Sequence, residues 1–142
     1  MLELDRVTFD DLVEHGLAAF PNEACGLLAG KEARPVKFFA MTNSDASPVS
    51  YRLDSTELLH AYTEMDDEGW DLLAIFHTHT HSEAYPSETD VRQAFFPGAT
   101  ELGPLFPDAV YLVMSLSDRA NPDLRGFTIS AEGVTEVEVR VA

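Results

Sequence analysis

The chain holds one cysteine, Cys25, so an internal disulfide is impossible and the disulfide-stapled class of small secreted domains is excluded. Basic residues are also scarce: nine Lys and Arg stand against 25 Asp and Glu, for a net charge of −16. That sign repels a nucleic-acid backbone and an anionic membrane face, so neither is an expected partner. No run of 18 or more apolar residues occurs, so no transmembrane helix is expected. The opening segment from Met1 to Val7 lacks a basic patch followed by an apolar stretch, so no signal peptide is expected and a cytoplasmic location follows. There is no repeat, low-complexity tract or dividing linker, so residues 1–142 are expected to form one domain around one core. The acidic excess itself has three open readings: a solvated face, steering of a basic partner, or a high-salt habitat. Oligomeric state has no signature in the sequence.

What is present is a legible succession of elements. Phe9, Leu12, Val13, Leu17 and Phe20 recur at helical spacing, predicting a helix over 8–20 that Pro21 stops. Residues 24–29 read as a buried strand, 36–41 as a second, 42–45 as a turn and 49–53 as a further short strand. Asp54 or Ser55 suits an N-cap for a helix to about Glu68, ended by Gly69. The apolar stretch 72–77 predicts a central strand covered on both faces, with Phe76 in the core and Trp70 before it. A helix is expected from Ser87 to about Phe96, then a loop over 100–108, then strands over 109–116, 124–129 and 134–141. The expected class is therefore α/β, a central mixed sheet flanked by helices.

The chemistry concentrates in the stretch from His77 to Asp90. His77 and His79 are two apart at a strand end, where side chains share a face, so both imidazoles can reach one ion. Asp90 falls in the first turn of a helix capped by Ser87 and can supply a third ligand from another direction. A His₂-carboxylate set leaves a fourth position for water, which separates a catalytic zinc from a structural one. Ser87-x-x-Asp90 is also an ordinary capping box, with no catalytic meaning by itself. A hydrolytic site further needs a proton acceptor. Glu23, at the edge of an apolar strand, is a candidate if half-desolvated; the other reading is an exposed residue of a helix-to-strand turn, and nothing in the periodicity joins it to His77.

Glu23 upstream, followed by His77-x-His79-x₇-Ser87-x₂-Asp90, resembles the JAMM motif of MPN+ domains, zinc isopeptidases that cut after the C-terminal Gly-Gly of ubiquitin-like proteins. The resemblance covers nearly the whole chain and implies the cytidine-deaminase-like MPN fold with one Zn²⁺ per chain. It makes His77, His79 and Asp90 the zinc ligands, Glu23 the general acid/base and Ser87 a hydroxyl that stabilises the oxyanion. The segments Asn22–Gly26, Met41–Asn43, Tyr51–Asp54 and Glu83–Ser87 resemble the bacterial Mec branch, as does Thr80 where many MPN+ members carry Pro. That branch implies a ubiquitin-like sulfur carrier protein ending in Gly-Gly as partner and release of cysteine from it. A broader isopeptidase acting on lysine-linked conjugates and a non-catalytic MPN scaffold are the alternatives.

Other residues admit plainer readings. Cys25, in an apolar strand, reads as a small core residue rather than a nucleophile. His81 reads as a solvent-exposed loop residue, with contact to substrate or a second metal as the alternative. His15 and His60 read as surface or capping features. Leu102, Leu105 and Phe106 either wall a groove for an extended tail or tuck onto the domain.

Overall fold

The computed structural model describes residues 1–142. Strand β1 (Leu2–Leu4) leads into helix α1 (Arg6–Ala19), which starts two residues earlier than its apolar spacing predicts. The reason is Asp5, whose carboxylate accepts the Thr8 N–H at 2.8 Å and so caps the helix. Strands β2 (Cys25–Lys31) and β3 (Arg34–Met41) form an antiparallel pair. Helix α2 (Ser55–Glu68) is capped by Asp54, which accepts the Glu57 N–H, and closes on Gly69 in the left-handed region at φ 72°. Then come β4 (Asp71–His79), α3 (Glu88–Gln93), a single 3₁₀ turn over Thr100–Leu102, β5 (Val110–Ser115), β6 (Asp123–Ser130), β7 (Gly133–Val137) and β8 (Val139–Val141).

Six strands make one sheet in the order β3-β2-β4-β5-β6-β7, antiparallel except for the central β4–β5 pair. This is the expected mixed sheet between helices. Successive residues along β4 point to opposite faces of the sheet. Ala74 and Phe76 join Leu28, Leu112 and Met114 under α1, whose Phe9, Leu12 and Val13 cover them. Ile75 joins Cys25, Leu27 and Tyr111 under α2 and the end of α3, through Ala61, Met65 and Phe95. Gly26 is required where β2 meets β3: a Cβ there would lie 2.4 Å from the Phe39 carbonyl oxygen. Cys25, Phe76 and half-buried Trp70 take the core positions expected of them.

Three expectations need correction. Residues 49–53 are not a strand; one bridge between Asn43 and Leu53 is all the pairing they make, because Asn43 itself organises the segment. Its side-chain amide donates to the carbonyls of Glu23 and Ser50, and its oxygen accepts the N–H groups of Asp45 and Arg52. Helix α3 ends at Gln93 rather than near Phe96, since Phe95 turns into the core. The expected strand 134–141 is two strands: β7 pairs with β6, and after Glu138 the chain leaves the sheet edge so that β8 can pair in parallel with β1. Strand β1, only three residues long, has no periodicity to read. No helix is long and apolar enough to cross a membrane.

Candidate metal centre

The last turn of β4 carries His77 and His79 on the face shared with Ile75, and α3 brings Asp90 to meet them. Asp90 Oδ2 lies 3.0 Å from His77 Nε2 and 3.0 Å from His79 Nε2, and the two nitrogens are 3.2 Å apart. All three residues are buried. Their orientation is fixed from behind. His79 Nδ1 donates to the Glu83 carbonyl at 2.8 Å, which in a neutral ring leaves Nε2 with a bare lone pair aimed at a carboxylate oxygen. Only a proton or a metal ion reconciles that contact. The Tyr51 ring stacks on His77, centroids 4.3 Å apart and planes 17° from parallel.

Asp90 shows that the two readings of Ser87-x-x-Asp90 are one geometry. Ser87 Oγ accepts the Asp90 N–H at 3.0 Å, and Asp90 Oδ2 accepts the Ser87 N–H at 2.9 Å. The capping box is therefore the device that holds the carboxylate toward the imidazoles. Burial alone would raise the Asp90 pKa, but the hydrogen bonds from His77 and His79 and the Ser87 N–H outweigh it and hold the group below the usual carboxylate range. Burial lowers the pKa of His77. Burial also pulls His79 down, but hydrogen bonds to Asp90 and Glu83 prevail and raise it.

Glu23 is joined to this cluster through the strand pairing. Cys25 stands opposite His77 in the β2–β4 register, and Ala24 is clasped by Thr78, which accepts the Ala24 N–H on Oγ1 at 2.8 Å and donates its own N–H to the Ala24 carbonyl. Thr78, between the two histidines, thus ties the chain next to Glu23 onto the strand that carries them. Glu23 is 4% exposed, so the exposed-turn alternative fails, and its Oε1 has no hydrogen-bond partner. Burial pushes its carboxyl up to about 8, against the pull of His79 and with the push of Asp90. A carboxyl with that environment can exchange a proton near neutral pH.

The donor set suits a metal. Tetrahedral ligation at roughly 2.0–2.1 Å sets neighbouring ligand atoms roughly 3.3 Å apart, close to the triangle found here. The unpartnered Glu23 oxygen matches a site built to face a polar group that the protein does not itself supply. His81 is exposed and pairs through Nδ1 with Thr80 Oγ1 at 3.0 Å, apart from the ligand triangle. Cys25 is buried with its thiol pushed up to about 12 by burial first, an inert core group.

A family model for prokaryotic homologs of the JAB domain matches residues 5–130. The chain belongs to that family. As a prokaryotic JAB protein it is a hydrolase of the JAMM metallopeptidase type, and its mixed sheet between helices is the JAB/MPN arrangement. It is 42% identical over 132 residues to the CysO-cysteine peptidase of Mycobacterium tuberculosis, covering 92% of this chain and 84% of that protein. It is 38% identical over 69 residues to the desampylase of Pyrococcus furiosus, about half of each chain. The solution structure of a protein from Desulfitobacterium hafniense superposes with a TM-score of 0.85 at 32% identity, covering 100% of this chain and 93% of the other.

Within this JAB domain one feature escapes the sequence reading. Tyr51 lay in a segment read as a strand, and no spacing linked it to His77. A cavity of about 870 Å³ opens beside the centre, walled by Tyr51, Leu53, Leu58, Phe95, Leu105 and Phe106. Of the three apolar loop residues, Leu105 and Phe106 line it, Phe106 also packing on the core, while Leu102 is 72% exposed.

Proposed function

We propose that this chain is a one-zinc peptidase that hydrolyses the bond after the C-terminal Gly-Gly of a ubiquitin-like sulfur carrier protein and releases cysteine. The observation that carries the reading is the meeting of His77, His79 and Asp90 beside a buried Glu23 whose Oε1 has no partner. His77 Nε2, His79 Nε2 and Asp90 Oδ2 would hold the ion, which when bound polarises a carbonyl and lowers the pKa of water. Glu23 takes a proton from the attacking water and delivers it to the leaving nitrogen as the C–N bond breaks, so the glycine gains the hydroxyl and cysteine leaves with a neutral amine. Ser87 Oγ accepts the Asp90 N–H, which leaves its own hydroxyl hydrogen to donate to the developing oxyanion. Support for the carrier comes from identity with the CysO-cysteine peptidase across nearly the whole chain. The single buried cysteine supports a cytoplasmic location, and one six-stranded sheet that draws on most of the chain supports a single domain.

The decisive assay incubates the protein with a carrier–cysteine adduct with and without a chelator. Cysteine release abolished by chelator and restored by Zn²⁺ is expected; release indifferent to chelator overturns the reading. The second reading, cleavage of ubiquitin-like proteins from lysines, draws on the likeness to the desampylase over about half the chain. A lysine-linked conjugate assayed in parallel decides between them through relative kcat/KM.

A further inference from the structure

We propose that Arg119, braced on Phe20, binds the free α-carboxylate of the residue that this peptidase releases and so selects C-terminal amino acids over lysine-linked proteins. The inference deepens the reading above and rests on it. A proton delivered by Glu23 must reach the leaving nitrogen, so the released residue lies on the Glu23 side of the centre. Its carboxylate is then two bonds further from the metal on that same side.

Two independent paths of the chain lead to Arg119 there. Phe20 precedes Glu23 by three residues, and the Arg119 guanidinium carbon sits 4.5 Å from the Phe20 ring centroid. His81 follows the ligand His79 by two residues, and its ring lies 5.8 Å from the same Phe20 ring. Strand β5, which runs parallel to β4 with Ser115 opposite His79, enters the loop bearing Arg119 just beyond that level. The guanidinium is therefore held over an aromatic ring at the end of α1, three residues before Glu23 in the chain, and that ring neighbours a side chain two residues after His79.

Its charge is also unspent. In a chain of 25 acidic residues, Arg6, Arg34, Lys37, Arg52, Arg125 and Arg140 each contact a carboxylate, and Arg119 contacts none. The neighbouring Asp118 is occupied by its own turn, accepting from the Ala120 N–H and the Asn121 amide. Arg92, the other arginine without a carboxylate, donates to Thr89 on α3 and lines the cavity. A planar guanidinium held on a ring suits bidentate pairing with a carboxylate, and a lysine-linked protein offers only side-chain methylenes at that place.

The test uses the carrier–cysteine adduct prepared as the C-terminal acid and as the C-terminal amide, cleaved by the zinc-loaded wild type, Arg119→Ala, Arg119→Lys and, as a surface control, Arg140→Ala. The wild type should prefer the acid by about 10- to 100-fold in kcat/KM, mainly through KM. Arg119→Ala should lose that preference by weakening only the acid, Arg119→Lys should regain part of it, and Arg140→Ala should keep it. An acid-to-amide ratio unchanged in Arg119→Ala, with both forms cleaved, overturns the role of Arg119 and leaves the peptidase reading intact. Cleavage of neither form by the wild type overturns both.

Discussion

The two faces of the central sheet are built on the same strand and do opposite things. Under α1, Ala74 and Phe76 face a closed apolar cluster with Leu12, Leu28, Leu112 and Met114, all at or near zero exposure. On the other face the same strand presents Ile75, His77 and His79, and the covering helices α2 and α3 leave a cavity between them. A single-residue offset along β4 therefore separates a side chain that supplies cohesion from one that supplies chemistry. The second face carries buried charge and an unpartnered carboxyl oxygen, both of which cost stability. The first face, dry and close-packed, offsets that cost. Thr78 belongs by position to the first face and acts for the second, because its hydroxyl and amide clasp Ala24 and so place Glu23.

The sharpest way to break the comparison lies on the chemical face. Asp90→Ala removes one corner of the His77–His79–Asp90 triangle, and loss of both bound zinc and cysteine release is expected. Glu23→Gln leaves the triangle intact, so zinc content should hold while turnover falls by about 10²- to 10⁴-fold. Metal analysis of the purified variants beside their rates checks both. Full activity in Glu23→Gln, or zinc retained at full stoichiometry in Asp90→Ala, removes the assigned roles.

Phe76→Ala addresses the other face. Phe76 is fully buried and meets the Phe38 ring edge-on with centroids 5.8 Å apart. Truncation should cost about 3–5 kcal/mol of stability by leaving a cavity where neighbours cannot collapse. Since His77 and His79 point the other way, kcat/KM at a temperature where the variant remains folded should stay within about threefold of wild type. Denaturant unfolding and kinetics on the same preparation test the pair of outcomes. A large loss of activity in the folded variant would show that the faces are coupled.

Most of this division is readable from the sequence, and the failures have physical causes. The continuous apolar run along β4 announces a strand covered on both faces and the His-x-His pair puts both imidazoles on one of them, because strand periodicity depends only on local spacing. Capping residues Asp54 and Ser87 are legible for the same reason. Glu23 cannot be connected to His77 from spacing, since the link is a cross-strand register between β2 and β4 set 54 residues apart by Thr78 and Ala24. Tyr51 is hidden because Asn43 folds residues 43–53 into a loop through side-chain hydrogen bonds that mimic no periodic element. Strand β1 is too short to show a period, and its pairing with β8 joins the two ends of the chain.

The smallest effect expected is also the most direct reading of the strain on the chemical face. In protein stripped of metal, burial holds the Glu23 carboxyl at about 8, whereas in the unfolded chain it titrates near the ordinary 4.5. Between those values the folded state binds the extra proton, so stability falls as pH rises from about 4.5 and the loss is complete above about 8. Glu23→Gln keeps the shape and cannot ionise. Its metal-free form should match the wild type at acid pH and exceed it by about 2 kcal/mol above pH 8, a figure reduced from the full linkage value for the solvent that reaches the cleft. Urea unfolding of both metal-free proteins at several pH values reads the difference. A gap that stays constant with pH would mean that Glu23 titrates alike in the folded and the unfolded chain, and its place as a carboxyl poised near neutrality would have to be given up.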